Sequence, residues 1–484
     1  MINVKAISTN VGKALLVSAL FMFISLMISI YEGMDSAFTP LLISFIITSI
    51  VGSFPFIFVR GPQPLTLKDG FLTIFLAWLL SFVFGMLPYV LWGGEFTIIN
   101  AWFESVSGYT TTGSTILNDI EALPRSLLFW RSSTHYIGGL GVVVFLLMVM
   151  PSASPYRLKL TNMELSSLSK EGYRYNSSKV VWVITSVYIG LTITACLALW
   201  AAKMPFFDAI NHAFSIAATG GFSTRNLSIG YFHSDLINVV TLILMTVSAL
   251  HFGLIYSVFV TRSLKPMKNP VVIYYLASIV VMSLVIACSL MTEGGYTSWG
   301  RALLDSSFNT VSYMTTTGFA ICDNSTWPVL AGMVLMLAGI QCGCSGSTTG
   351  GLKVDRILIV FKSFANELRH RLHPSSVSQV KMGGHYLSDN IVSSVFMYIV
   401  MYVVVIFVSI IAVMLCGSEP LEAVSGVISS VGSVGPGLGD VASLDNYSMQ
   451  PVMSKVIFTI DMFLGRMEIF PILIVISLMF NRSK

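Results

Sequence analysis

Charged residues are scarce in this sequence. Only 10% of the 484 residues are Asp, Glu, Lys or Arg, whereas 55% are hydrophobic. A soluble domain carries about 25% charged residues. The shortage excludes an ordinary soluble protein and predicts a chain that lies in lipid.

Motifs for cofactors and catalysis are also missing. The six cysteines form no CxxC pair and no metal-ligand spacing, so we expect neither disulfides nor a metal centre. No P-loop and no GxGxxG between a strand and a helix is present, which argues against nucleotide binding within this chain. The histidines are scattered, so we expect no enzyme activity and no cofactor.

Long apolar runs are what the chain does have. A spanning helix needs about 20 apolar residues, and unpaired backbone polar groups in the hydrocarbon leave helices as the structure for such runs. The first run is too long for a signal peptide and has no small-residue cleavage site, so we expect it to be retained. About ten spanning helices are predicted, at residues 11–31, 37–59, 70–92, 128–150, 179–201, 235–260, 271–292, 327–352, 391–416 and 454–480.

The basic residues predict the orientation. With residue 1 on the inside, about 20 of the 27 Lys and Arg residues fall in inner segments. We therefore expect both termini to be cytoplasmic. The net charge of +4 follows from this bias, so it does not indicate nucleic-acid binding.

Four shorter apolar stretches lie between spanning runs on the outer side, and each ends in a loop of small residues. Aligning Gly113, Gly221, Gly318 and Gly437 gives a repeat of about a hundred residues. A polar residue lies thirteen positions before each of the first three glycines: Asn100, Asp208 and Asp305. Glu422 is a rough equivalent in the fourth unit. These residue types predict N-caps at the starts of the four short helices. The predicted fold is an all-α polytopic membrane protein, in which four fused helix, pore-loop, helix repeats surround a central pore after two extra N-terminal helices. The units are 1–60 (extra helices), 61–155, 156–265, 266–375 and 376–484 (pore repeats one to four).

The four loops have the chemistry of a cation filter. Rings of backbone carbonyls can replace the water shell of an ion, and glycine lets the backbone approach the axis without a side chain in the way. For any single loop, the alternative explanation is that its small residues lie at an interface between packed helices. The predicted ligands are Thr110, Thr111, Thr112 and Gly113; Thr219, Gly220 and Gly221; Thr316, Thr317 and Gly318; and Val434, Gly435, Pro436 and Gly437.

A gate is predicted below this filter. The glycine-rich run in the third unit has poor helix propensity, and a break at membrane depth is tolerated where it is buried or lines a watery cavity. Close helix packing is the alternative. Arg466 lies well inside the membrane, and we predict that it faces the pore, with Glu468, Asp461 or the carbonyls of the broken run as partners. The predicted gate comprises Gly343, Ser345, Gly346, Ser347, Thr348, Gly350 and Arg466.

Along its whole length the chain resembles the TrkH-type proteins of the Trk/Ktr/HKT superfamily. The resemblance rests on the four loops, on residues 346–351 (GSTTGG), and on residues 465–468 (GRME). It implies potassium and rubidium conduction, potassium preference from a glycine in every loop, a gating role for the broken run and a barrier role for Arg466. It also implies the bacterial inner membrane, a homodimer and a cytosolic ring of TrkA-like nucleotide-binding subunits. A proton- or sodium-coupled potassium symporter is the alternative function, because helix-breaking glycines are common in carriers too.

Overall fold

The computed structural model describes residues 3–59, 66–149, 177–374, 379–383 and 385–480. The predicted boundaries at 60/61, 155/156 and 375/376 and both chain termini lie outside these residues. Within the described part the chain is mostly helical, as predicted, and its strands form one two-residue hairpin, Lys381–Met382 (β1) with His385–Tyr386 (β2).

The first half of the chain begins with two long helices that pack against each other. Its helices are α1 (Val4–Tyr31), α2 (Phe38–Phe58), α3 (Leu67–Gly85), α4 (Leu87–Trp92), α5 (Ile98–Tyr109), α6 (Arg125–Val149), α7 (Ser177–Ala201), α8 (Phe206–Ala218), α9 (Asp235–Ser248) and α10 (Phe252–Thr261). Single 3-10 turns lie at Ser228–Phe232 and Lys265–Lys268.

The second half continues the same alternation of long and short helices. Its helices are α11 (Pro270–Thr292), α12 (Trp299–Met314), α13 (Val329–Gln341), α14 (Val354–Leu372), α15 (Asp389–Leu415), α16 (Pro420–Gly432), α17 (Val452–Arg466) and α18 (Phe470–Phe480), with a 3-10 turn at Gly439–Val441.

Six of the described helices, with α3 and α4 taken together, are long and apolar enough to cross a membrane, or seven if the bent pair α9 and α10 is one span. Of the predicted ten, three runs are interrupted, and α6, a continuous helix of 25 residues over the predicted run 128–150, is not among the six. Helices α9 and α10 meet at 99°. Twelve residues separate α13 from α14, and three residues, Met467 to Ile469, separate α17 from α18. The predicted break in the third unit is present, whereas the other two breaks were not predicted.

The short helices α5, α8, α12 and α16 each pack against the helices that precede and follow them. Each also contacts a helix of a neighbouring segment: α8 packs on α6, α12 on α9, α16 on α13, and α5 on α17. Each short helix after the first contacts a helix of the preceding segment, and α5 in the first segment contacts α17 in the last. The four contacts therefore form a closed ring. The arrangement brings the C-terminal ends of the four short helices together.

The predicted N-caps are wrong. Asn100, Asp208 and Glu422 occupy the third position of their helices, and Asp305 is the seventh residue of α12. The residues before the helix starts are Thr97, Pro205, Ser298 and Glu419. The polar residues instead accept hydrogen bonds from other segments, as Asp208 does from Thr224 and Arg225.

Candidate functional site: a ring of four loops and a broken helix

The loops after α5, α8, α12 and α16 share one backbone shape. Each has a hydroxyl residue in the left-handed region, followed two positions later by a glycine of positive φ. A β-branched residue at positive φ is strained and costs about 1–2 kcal/mol, so the surrounding contacts must hold it. The pairs are Thr111 (φ 54°) with Gly113 (84°), Thr219 (54°) with Gly221 (88°), Thr316 (54°) with Gly318 (72°), and Ser433 (54°) with Gly435 (105°).

This shape corrects the predicted alignment of the fourth loop. Gly435, not Gly437, is the equivalent of Gly113, Gly221 and Gly318. Gly437 has no positive φ, and its carbonyl accepts a hydrogen bond from the Tyr313 hydroxyl at 2.9 Å. Val434 therefore stands where Thr112, Gly220 and Thr317 stand in the other loops, and Ser433 is a loop residue that the sequence analysis missed.

The four glycines lie against one another in a closed order. A methyl group on Gly113 would overlap the Gly220 carbonyl, one on Gly221 the Thr317 carbonyl, and one on Gly318 the Val434 carbonyl. A methyl group on Gly435 would lie 2.6 Å from the Thr112 carbonyl oxygen, which returns to the first loop. The same four glycines line one open cavity of about 650 Å³. The loops thus meet around a single centre.

Serine side chains tie three of the short helices to their loops, whereas the Ser429 hydroxyl of α16 has no hydrogen-bond partner among the described residues. The hydroxyls of Ser107, Ser215 and Ser312 donate to the carbonyls seven residues later, at 2.6, 2.8 and 2.6 Å. Each serine lies six residues before its glycine, and Ser429 lies six residues before Gly435. The recurring serine therefore gives the same alignment as the backbone shape.

The hydroxyls of the left-handed residues divide into two pairs. Thr219 donates to the Thr348 hydroxyl at 3.3 Å, and the Thr316 hydroxyl accepts from the Gly350 N–H at 3.2 Å. The hydroxyls of Thr111 and Ser433 are buried and have no hydrogen-bond partner among the described residues. Two oxygens on one side of the ring therefore hold the broken helix, and two on the other side are left for water or an ion.

The loop between α13 and α14 lies directly against the ring. Besides its bonds to Thr219 and Thr316, its Thr348 hydroxyl donates to the carbonyl of Ala217 at 3.1 Å. A methyl group on Gly350 would overlap the Gly432 carbonyl at the end of α16. The predicted gate residues at 343–350 are thus brought to three of the four loops.

The break between α9 and α10 supports this loop from the other side. The Cys344 N–H donates to the Ala249 carbonyl at 3.0 Å, and the Phe252 N–H donates to the Gly346 carbonyl at 3.1 Å. Non-helical backbone at membrane depth needs such partners. The two interrupted helices therefore supply hydrogen-bond partners for each other's free backbone groups.

Arg466 lies at the end of α17 and is 4% exposed. Its Nη1 donates to the Thr348 carbonyl at 2.5 Å and its Nη2 to the Gly138 carbonyl at 3.5 Å. Three kinds of partner were predicted for Arg466, and the structure confirms the carbonyls of the broken run. Asp461 instead accepts from Ser409, and Glu468 pairs with Arg356 at 2.8 Å.

Lys353 is a second buried cation at the loop, and it was not among the predicted gate residues. It is 7% exposed, and its Nζ donates to the Thr349 carbonyl, adjacent to the carbonyl that Arg466 holds. No carboxylate forms an ion pair with Lys353 or Arg466 in the described part of the chain. Two positive charges without a direct ion pair therefore lie below the ring.

The opposite mouth of the ring has a different charge balance. Arg131 and Arg225 line the cavity, but Arg131 pairs with Glu104 at 2.5 Å and Arg225 with Asp208 at 3.2 Å. Asp445 also lines the cavity, and it forms no ion pair within the described ranges. Its carboxylate is thus the charge that a cation would meet there.

Burial, with the nearby carboxylates of Asp323 and Asp440, raises the pKa of Asp445 above its ordinary value. The group therefore loses its negative charge at a higher pH than an ordinary aspartate. One charge at ~10 Å in water is worth about 0.4 kcal/mol, or about a twofold change in local cation concentration. We expect Asp445→Asn to lower cation uptake about twofold at low cation concentration, and to reduce the decline of uptake as the outer pH falls. Uptake titrations of the unmodified chain and of Asp445→Asn at pH 4 to 7 measure this; identical profiles would contradict it.

Comparisons with known proteins agree with this architecture. The sequence model of the TrkH family, described as cation transport protein, matches residues 39–484. The chain is 34% identical to the Trk system potassium uptake protein TrkH of Salmonella typhimurium, over 99% of both chains, and 32% identical to that of Halomonas elongata, over 99% of this chain and 100% of the other. The crystal structure of the potassium transporter TrkH from Vibrio parahaemolyticus superposes with a TM-score of 0.85 at 31% identity, covering 98% of this chain and 99% of that one. The chain belongs to the TrkH family of cation transport proteins.

Proposed function

We propose that this chain conducts potassium ions across the bacterial inner membrane, and that rubidium follows the same path. The observation that carries the proposal is the closed ring of four glycine-bearing loops, each in contact with a carbonyl of the next. The relatives are named potassium uptake proteins, and the helices are long and apolar enough for a multi-pass membrane protein.

Dehydration of the ion is the step that the ring performs in this proposal. Carbonyl oxygens of Thr112, Gly220, Thr317 and Val434 lie at equivalent positions and replace the water shell. The short helices direct their C-terminal ends, which carry partial negative charge, toward the same centre. The free hydroxyls of Thr111 and Ser433 add oxygens at the inner end.

Passage below the ring is controlled by residues 343–351 in this proposal. The loop is bonded to Thr219 and Thr316 above and is held by Arg466 and Lys353 from the side. The two cations also repel an ion that leaves the ring. Conduction therefore requires the loop to release at least some of these bonds.

The test is rubidium uptake into proteoliposomes that contain the purified chain, competed by potassium, sodium, lithium and caesium. We expect potassium to compete at the lowest concentration and lithium at the highest. Equal competition by all four ions would contradict a potassium filter. A linear current–voltage relation that does not change with pH or sodium separates conduction from proton- or sodium-coupled symport.

Control of the gating loop by a partner is part of the proposal. We assign to α14 the role of linking the partner's contact surface to this loop. The helix starts at the gate: Asp355 accepts from the Ser345 N–H at 2.8 Å, and Arg356 pairs with Glu468. Farther along, Phe361, Phe364, Leu368 and Leu372 are all exposed at helical spacing. A contact made on this stripe is transmitted to the loop through a rigid helix.

We assign the stripe to a second copy of this chain. We assign the basic residues of the inner segment 353–390 to a cytosolic TrkA-like nucleotide-binding ring; they are Arg356, Lys362, Arg369, Arg371 and Lys381. Phe364→Ser is expected to convert the dimer into a monomer in light scattering of the purified protein. Phe259→Ser, at an exposed position of α10, is the matched control and leaves the dimer intact. If both variants remain dimers, α14 is not part of the dimer interface.

The cytosolic nucleotide-binding ring has a separate test. Uptake that responds to nucleotide only after a co-purifying regulator is added supports this partner.

A further inference from the structure

A second cavity lies beside the pore, between α1, α3 and α6. It is open on one side, and its empty space, including that open side, is about 830 Å³. Its walls are almost entirely apolar and include Ala14, Val17, Phe21, Ala77 and Leu140. Neither the ring nor the gate uses this space.

Two polar groups of the cavity lack strong partners. Trp78 is 4% exposed and lines the cavity, and its Nε1–H has no acceptor among the described residues. Lys13 lies at the rim and is exposed; its Nζ hydrogen-bonds the Asn10 amide oxygen at 3.4 Å, and no carboxylate pairs with it in the described ranges. The cavity thus offers one cation, one buried N–H donor and apolar walls.

The depth of Lys13 suits a lipid headgroup. Helix α1 ends at Tyr31, and about 20 residues of helix cross the hydrocarbon. Counting back from Tyr31 places the other hydrocarbon boundary within a few residues of Lys13. A lysine at this level extends its ammonium group toward phosphates.

We propose that an anionic phospholipid occupies this cavity. Its phosphate pairs with Lys13, an ester carbonyl accepts from the Trp78 Nε1–H, and one acyl chain fills the apolar space. The far end of the cavity is lined by Gly138, whose carbonyl also accepts from Arg466. The acyl chain therefore touches the backbone that holds the pore arginine.

The experiment measures binding alone, so it does not depend on uptake. The full chain is placed in nanodiscs that contain bromine-labelled phosphatidylglycerol or bromine-labelled phosphatidylcholine, and tryptophan fluorescence is recorded. Subtracting the signal of Trp78→Phe isolates Trp78 from the other seven tryptophans of the eight in the chain.

We expect phosphatidylglycerol to quench the Trp78 signal at least twofold more than phosphatidylcholine. Lys13→Gln should abolish that difference, whereas Lys5→Gln, on the same helix but outside the cavity, should retain it. Ala14→Phe fills the cavity and should protect Trp78 from both lipids. Equal quenching by the two lipids in the unmodified chain, or a difference that survives Lys13→Gln, overturns the proposal. Quenching that Ala14→Phe leaves unchanged also overturns it.

Discussion

Gly435→Ala is expected to reduce rubidium uptake about tenfold or more. Gly435 has φ 105°, a conformation that side-chain-bearing residues rarely adopt, and a methyl group there would lie 2.6 Å from the Thr112 carbonyl oxygen. The backbone strain alone is about 1–2 kcal/mol, and each ~1.4 kcal/mol is about tenfold in a rate. Because the displaced carbonyl is a proposed ligand, we also expect sodium to compete better in the same assay.

Gly437→Ala is the matched control, two residues away in the same loop. Its methyl group would approach the side chains of Val441 and Ser425 at 2.8 and 2.9 Å, and no positive φ adds strain. We expect a clearly smaller loss of uptake than for Gly435→Ala, since crowding these two side chains costs about 1–3 kcal/mol of stability but displaces no proposed ligand carbonyl. If Gly437→Ala were the damaging substitution and Gly435→Ala the harmless one, the alignment of the fourth loop would be wrong.

Arg466→Ala is expected to raise rubidium uptake about tenfold. The guanidinium holds the Thr348 carbonyl and places a positive charge below the ring. Repulsion between two unit charges at ~5 Å and an effective dielectric constant of about 20 is about 3 kcal/mol, of which water in the pathway screens a part. Removing the side chain eliminates this barrier and one of the bonds that hold the loop. Uptake normalised to the amount of reconstituted protein measures the effect.

Arg466→Lys separates charge from loop positioning. The lysine keeps the positive charge but cannot reach the Thr348 and Gly138 carbonyls together, since it lacks the forked guanidinium. We expect uptake between that of the unmodified chain and that of Arg466→Ala. Unchanged or lower uptake in Arg466→Ala, with normal expression, would remove the arginine from the gate.

Much of this architecture is readable from the sequence because its signals are local. Apolar runs of about 20 residues predict spanning helices without any knowledge of neighbours. The loops at Gly113, Gly221 and Gly318 have similar sequences, and the glycine-rich run at 343–351 cannot continue a helix. The structure breaks the chain there and brings these loops together.

The fourth loop was misaligned because four glycines, at 432, 435, 437 and 439, lie within eight residues. Glycine alone cannot set the register in such a segment. Two other signals could have set it: Glu422 lies thirteen residues before Gly435, as Asn100 lies before Gly113, and Ser429 lies six residues before it. The polar positions of the short helices are more informative here than the loop.

The break at Ala249 could not be predicted from its own segment, whereas the break at Met467 has a local signal that was overlooked, because Gly465 and Pro471 flank it. The first break is stabilised by the gating loop, through the bonds of Cys344 and Gly346 to backbone groups at Ala249 and Phe252. These partners are about a hundred residues away in sequence. Lys353 was missed for the same reason, because only the folded chain shows that it is buried beside the carbonyl held by Arg466.

The most direct test of the account is to locate the ion itself. Crystals or frozen grids prepared with thallium or rubidium should show density on the axis between the carbonyls of Thr112, Gly220, Thr317 and Val434. Replacing the heavy ion with excess potassium should remove that density, and replacement with lithium should not. Density elsewhere in the chain, with none inside the ring of four loops, would contradict the central claim that these loops dehydrate the cation.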